Sequence, residues 1–149
     1  MSADVVVRVA GEADFDLLTE IWRRAARSTH AFMGDDALDD LAPRIRDLLL
    51  PSMDVRVAIV EGQPVGFLGA RDDDHVELLY IAPEAQGHGI GPMLLRQLGA
   101  GRGPRSVEVY AGNTVGLGFY RSQGFHEVRR DPTDLAGRPF AIVHLERET

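Results

Sequence analysis

The chain has 149 residues, 23 acidic against 16 basic for a formal net charge of −7, and no cysteine. That length suits one domain spanning residues 1–149 with a substantial core, and the missing cysteines exclude disulfides, thiolate metal sites and a cysteine nucleophile. All 16 basic residues are arginine, which excludes Schiff-base and phosphate-loop lysines, while the acidic balance argues against nucleic acid and reads first as a solvated surface, with a cationic substrate as the alternative.

The segment DVVVRVA, from Asp4 to Ala10, predicts a strand by its β-branched residues. In EADFDLLTEIWRRAARSTHAF the apolar residues Phe15, Leu18, Ile21, Trp22 and Ala25 form a helical stripe, with acids early and arginines late. A second helix is predicted from Leu38 to Leu50, stopped by Pro51. Val55 to Glu61 and Pro64 to Arg71 predict two strands joined by a tight turn at Gly62-Gln63. Asp72 to Asp74 make a second turn, and HVELLYIA, from His75, a third strand. Alternation then places Glu77, Leu79 and Ile81 on one face and Val76, Leu78 and Tyr80 on the other. A helix follows from Ile90 to Leu98, then a strand from Ser106 to Ala111, a short helix ended by Gly124, and two closing strands in FHEVRR and FAIVHLE. One mixed α/β domain is the reading. No apolar run approaches a membrane span, and the first residues lack the features of a secretory leader. A soluble cytoplasmic protein, monomer or homodimer, is expected.

The stretch QGHGIGPMLL, from Gln86 to Leu95, leaves an apolar strand and opens a helix. Unpaired N–H groups and the helix macrodipole favour an anion there, and Gly87, Gly89 and Gly91 let a backbone approach closely. The Walker loop is excluded for want of its lysine, and the Rossmann fingerprint for want of its third spaced glycine. Pro92 suits a first helical turn but removes one donor from it. Five histidines show no metal-ligand spacing, so no metal is expected.

LLYIAPEAQGHGIGPMLL resembles the acyl-CoA-binding motif of the GNAT superfamily of N-acetyltransferases, with Gln86, Gly89 and Gly91 at its fixed positions. VYAGNTVGLGFYRSQGFHEV is similar to the second signature of that superfamily through Asn113, Phe119, Tyr120, Gly124 and Phe125, with Gly116 in place of the usual alanine. The segments STHAF and DLAGRPFAIVHLE resemble a bacterial subgroup of small acetyltransferases. The resemblance implies the acyl-CoA N-acyltransferase (GNAT) fold: a central, mostly antiparallel sheet with a parallel splayed pair, flanked by helices. It also implies transfer of acetyl from acetyl-CoA to a primary amine, on a small molecule or a peptide. A catalytically inactive CoA-binding sensor or interaction module is the alternative.

Amine acetylation needs a proton removed from the ammonium, donors aimed at an oxyanion, and an acid for the departing thiolate. Glu77, set in an apolar strand, is the candidate base, and the resemblance makes Tyr120 the candidate acid. By the same resemblance, backbone groups of Leu79 and Ile81 pair with the pantetheine arm. Gln86, Gly87, His88, Gly89, Ile90 and Gly91 cradle the phosphates, and Asn113 and Tyr120 also contact CoA. Trp22 and His30 are candidate acceptor contacts. His88 is expected to be solvent-exposed.

Overall fold

The computed structural model describes residues 4–134 and 137–148, so Leu135 and Ala136 of DLAGRPFAIVHLE lie outside the described residues. A seven-stranded sheet runs in the order β1-β2-β3-β4-β5-β7-β6. Its strands are β1 (Val5–Val9), β2 (Asp54–Val60), β3 (Gln63–Arg71), β4 (His75–Ile81), β5 (Ser106–Tyr110), β6 (His126–Asp131) and β7 (Ile142–Glu146). Every neighbouring pair is antiparallel except β4 and β5. That parallel pair is in register only at His75 with Ser106 and Val76 with Val107, and beyond them the two strands splay apart. The expected mixed α/β GNAT architecture is the one observed.

Helices cover both faces. The first face carries α1 (Phe15–Thr29), α2 (Asp35–Arg44) and α3 (Leu50–Ser52), with a π turn at Ile45–Leu49 between the last two. An Arg8–Asp14 ion pair and the Gly11 N–H donating to the same carboxylate fix the start of α1. The stripe Phe15, Leu18, Ile21 and Trp22 then buries against Val55, Val57, Phe67 and Leu78. The second face carries α4 (Ile90–Leu95) and α5 (Thr114–Ser122), whose Ile90, Leu94, Leu117 and Tyr120 pack on Leu68, Val76, Val107 and Val143. Each fully buried side chain of this size contributes about 1.5–3 kcal/mol, so both faces hold the sheet.

Several sequence expectations shift. The second helix begins at Asp35, where Asp36 adds a second acid to the first turn and favours its N-terminus. After Pro43, which has no N–H to donate, the helix widens into the π turn, and Pro51 lies inside the last turn instead of ending it. The β2–β3 turn is Glu61-Gly62, both with positive φ, and Gln63 already pairs with Val60. Helix α4 stops at Leu95, because the Gly99 N–H is bonded to the Asp73 carbonyl oxygen and carboxylate in the β3–β4 turn.

The last shift matters most. Opposite β3, Gly69 pairs with Leu78 and Ala70 with Val76, so Glu77 is the extra residue of a β-bulge. Strict alternation therefore fails across it: Val76 packs on the same face as Leu79 and Ile81, while Leu78 and Tyr80 share the other.

Candidate active site

The splay between β4 and β5 opens a cavity of about 810 Å³. Its lining draws on both cores: Trp22, His30 and Leu38 from the α1–α2 face, and Ile90, Phe119 and Tyr120 from the α4–α5 face. From Leu78 to Ile81 the β5-facing edge of β4 has no strand partner, which leaves backbone groups free to receive an extended ligand as if it were a strand. Leu79 and Ile81 line the cavity there, although the Ile81 carbonyl already accepts from Gln86 Nε2 at 3.1 Å.

The glycine loop forms one wall. Gly87 (φ 80°) and Gly89 (φ 78°) adopt the left-handed conformation that side chains resist. Gly91 has no such φ, and a Cβ there would meet the Phe119 ring at 3.4 Å, an ordinary packing contact. The first bond of α4 runs from the Met93 N–H to the Gly89 carbonyl at 3.2 Å, so the N–H groups of Ile90 and Gly91 precede the helical ladder. Pro92 occupies the third helical position, where its missing N–H breaks no helical bond. Gln86, Gly87, Gly89, Ile90, Gly91 and Asn113 all line the cavity. His88 does not; it is exposed, with Nδ1 3.1 Å from the Ala85 carbonyl oxygen. Asn113 caps α5, its Oδ1 accepting from the Gly116 N–H at 2.9 Å. A Cβ on Gly116 would meet the end of the Asn113 amide, which would have to shift to admit the alanine of the related signature.

Glu77 and Tyr120 both reach the cavity. The bulge turns Glu77 out of the ladder, and Arg71 Nε holds it at 3.1 Å. Tyr120 is buried between Phe119 and Phe125. Burial pushes its phenol well above the ordinary 10, and nearby Tyr80 adds to the shift. The hydroxyl therefore stays protonated, and full transfer to a thiolate near 8.5 is more uphill than the free groups imply. In that state it can donate a hydrogen bond into the cavity.

The opposite wall is aromatic. Trp22 meets Tyr80 edge-on with ring centroids 6.4 Å apart, and His30 packs against Phe32, Tyr80 and Tyr110 at 5.4–6.0 Å. His30 is 3% exposed; burial drives its imidazole down to about 4, so it is neutral near pH 7. Its Nδ1 lies 2.7 Å from the Thr29 hydroxyl. Burial also pushes Tyr80 up to about 12. The Tyr110 hydroxyl donates to Asp134 at 3.0 Å, and the Arg138 N–H donates to the other carboxylate oxygen at 2.8 Å.

Thus the structure brings Trp22, His30, Glu77, Tyr120 and the glycine loop to one cavity and leaves His88 outside it. Sequence reasoning missed Tyr80, Tyr110, Glu108 and Asp134, which line the same cavity. Tyr80 carried a usable signal, since its strand leads straight into the glycine loop. Asp134 carried none, because only the fold brings it to Tyr110.

A family model for an acetyltransferase (GNAT) domain matches residues 51–127. The peptidyl-lysine N-acetyltransferase YjaB of Salmonella typhimurium is 30% identical over 140 residues, 93% of this chain and 95% of that protein. The solution structure of apo-form YjaB from Escherichia coli matches with a TM-score of 0.86 at 28% identity, covering 96% of this chain and 97% of that one. The PaiA N-acetyltransferase of Thermoplasma acidophilum, in complex with coenzyme A, shares the fold with a TM-score of 0.73 at 20% identity, over 96% and 99% of the two chains.

Proposed function

Because the chain belongs to the GNAT acetyltransferase family and is an acyltransferase, we propose that it moves acetyl from acetyl-CoA directly to a primary amine, that of a peptidyl lysine. The observation that carries this reading is the single cavity at the β4–β5 splay, where Glu77, Tyr120, the glycine loop and an aromatic wall meet. The lysine acceptor is supported by the names of relatives such as YjaB. It is also supported by chemistry: Trp22, Tyr80 and Tyr110 suit an alkyl stem, and Glu77, Glu108 and Asp134 suit an incoming ammonium.

The glycine loop and Asn113 hold the CoA moiety, which supplies an activated thioester, while the free edge of β4 takes the pantetheine arm. Glu77 removes a proton from the ammonium, directly or through water. The neutral amine attacks the acetyl carbon, a C–N bond forms, and the C–S bond breaks. Tyr120 donates a hydrogen bond to the departing sulfur, and its proton passes across only as the amide nitrogen returns one to the phenol oxygen. With no cysteine to carry an acyl group, direct transfer within a ternary complex is the economical route.

Acetyl-CoA turnover, followed as free thiol against lysine peptides and small amines, tests the proposal. Peptide-dependent thiol release with acetyl on the lysine Nζ is expected. Thermal stabilisation by acetyl-CoA without thiol release from any amine would instead make the chain a CoA-binding module.

A further inference from the structure

Glu108 stands on β5 in the wall between two cavities. It lines the cavity at the splay and also a second one of about 340 Å³ bordered by Asp131, Thr133 and His144. From it a line of polar groups crosses the sheet. Glu108 Oε1 lies 3.6 Å from His75 Nε2 on β4 and 3.7 Å from His144 Nδ1 on β7. On the far side, His144 Nε2 lies 2.7 Å from Asp131 Oδ2 on β6, and the Asp131 side chain is 45% exposed. Strand register builds this line, because Glu108 pairs directly with His144 and the next strand ends at Asp131.

An ionised carboxylate only accepts, so the 2.7 Å bond requires a proton on His144 Nε2, and in the neutral ring that leaves the lone pair of Nδ1 towards Glu108. The gap of 3.7 Å exceeds a direct hydrogen bond, and a carboxylate rotation or one water spans it. The reaction itself supplies the demand: R–NH3+ and acetyl-CoA give R–NH–CO–CH3, HS-CoA and one H+, which must leave the cavity.

We propose that Glu108, His144 and Asp131 form the route by which this proton leaves the reaction cavity. The inference rests on the amine-acetylation reading above. The proton taken from the ammonium passes from Glu77 through cavity water to Glu108 Oε1. The Glu108 O–H then donates it to His144 Nδ1, and the imidazolium releases its Nε2 proton to Asp131 and on to bulk water. The ring regains its resting tautomer through solvent in the second cavity. His75, itself held above its ordinary range by Glu108, keeps that carboxylate below the usual carboxylate range, so Glu108 passes a proton on and does not store it. Glu77 and Arg71 on β4 and Arg129 on β6 complete the charged surroundings. Among the described residues no cluster is arranged to hold a metal ion, these included.

The test measures kcat on a lysine peptide, its pH profile, and acetyl-CoA affinity. Glu108→Gln is expected to lower kcat about a hundredfold and His144→Ala about tenfold, with acetyl-CoA Kd changed less than about twofold. Added imidazole, entering the second cavity, should restore much of the His144→Ala loss, and the acid limb of kcat should move in that variant. A His144→Ala enzyme with wild-type kcat and pH profile, or one deaf to imidazole, overturns the route; His144→Gln replaces it should the alanine variant not fold. If the wild-type chain acetylates no peptide, the acetyl-transfer reading fails on its own, and ring nitrogen NMR then judges the route. His144 must titrate differently in Glu108→Gln, and an identical titration overturns the coupling.

Discussion

The two walls of the cavity are built in opposite ways. The glycine-loop wall comes from a nearly continuous stretch, Gln86 to Pro92, joined by Asn113 and Phe119. It works through backbone: left-handed glycines, early helical N–H groups and the bare edge of β4. The aromatic wall is assembled from Trp22, His30, Tyr80, Tyr110 and Asp134, contributed by α1, β4, β5 and the segment after β6. It works through side chains, and its hydrogen bonds are spent on neighbours such as the Tyr110–Asp134 pair. A wall of backbone can serve one unvarying ligand, whereas a wall of side chains can be retuned residue by residue for different acceptors.

Tyr120 offers the harshest test of that division, since it is the one side chain on the α4–α5 face given chemistry to do. Tyr120→Phe should lower kcat by about a hundredfold or more and leave acetyl-CoA binding intact; unchanged turnover removes it from the mechanism. On the aromatic wall, His30 should govern acid stability. The folded imidazole titrates at about 4 and the unfolded one at 6.5. The stability it withholds from protonation is thus complete above 6.5 and lost as pH falls towards 4, amounting to up to about 3 kcal/mol. Denaturant midpoints at neutral and acid pH should show this fall in the wild type and a flatter one in His30→Gln.

Backbone effects are smaller. Gly89→Ala forces an L side chain into φ 78°, at about 1 kcal/mol, so acetyl-CoA should bind roughly fivefold more weakly in calorimetry with little change in acceptor KM. A change confined to acceptor KM would undo the assignment of the two walls. Pro92→Ser restores one N–H in the first turn of α4 and should tighten acetyl-CoA by about twofold; weaker binding would mean that the rigidity of Pro92 outweighs its lost donor.

The same division explains what could be read from the residues alone. Gly87, Gly89 and Asn113 announce themselves because their roles are local: a positive φ or a cap needs only its own neighbours. The apolar stripe of α1 is local for the same reason. Glu77 was legible as a carboxylate in an apolar strand, but its bulge was not, because a bulge is a property of two strands and appears only when Gly69 and Ala70 meet Leu78 and Val76. The end of α4 depends on Asp73 capturing the Gly99 N–H from 26 residues away. Glu108 and His144 lie on strands β5 and β7, adjacent in the sheet and not in the chain, so no spacing rule joins them.

The splay also has a pharmacological consequence. Because one cavity is lined from both faces of the sheet at the place where β4 and β5 part, the proposed reaction would bring its two substrates into a single volume with the transferred bond between them. A conjugate that ties a lysine-like amine to CoA through a short bridge would lie across the sheet as one ligand. Its second half would then bind at an effective concentration in the millimolar range, raising affinity by roughly 10²–10⁴ over either half alone. A bridge one or two atoms too short would forfeit that gain, so a series of bridge lengths would act as a ruler for the distance between the thioester and the amine.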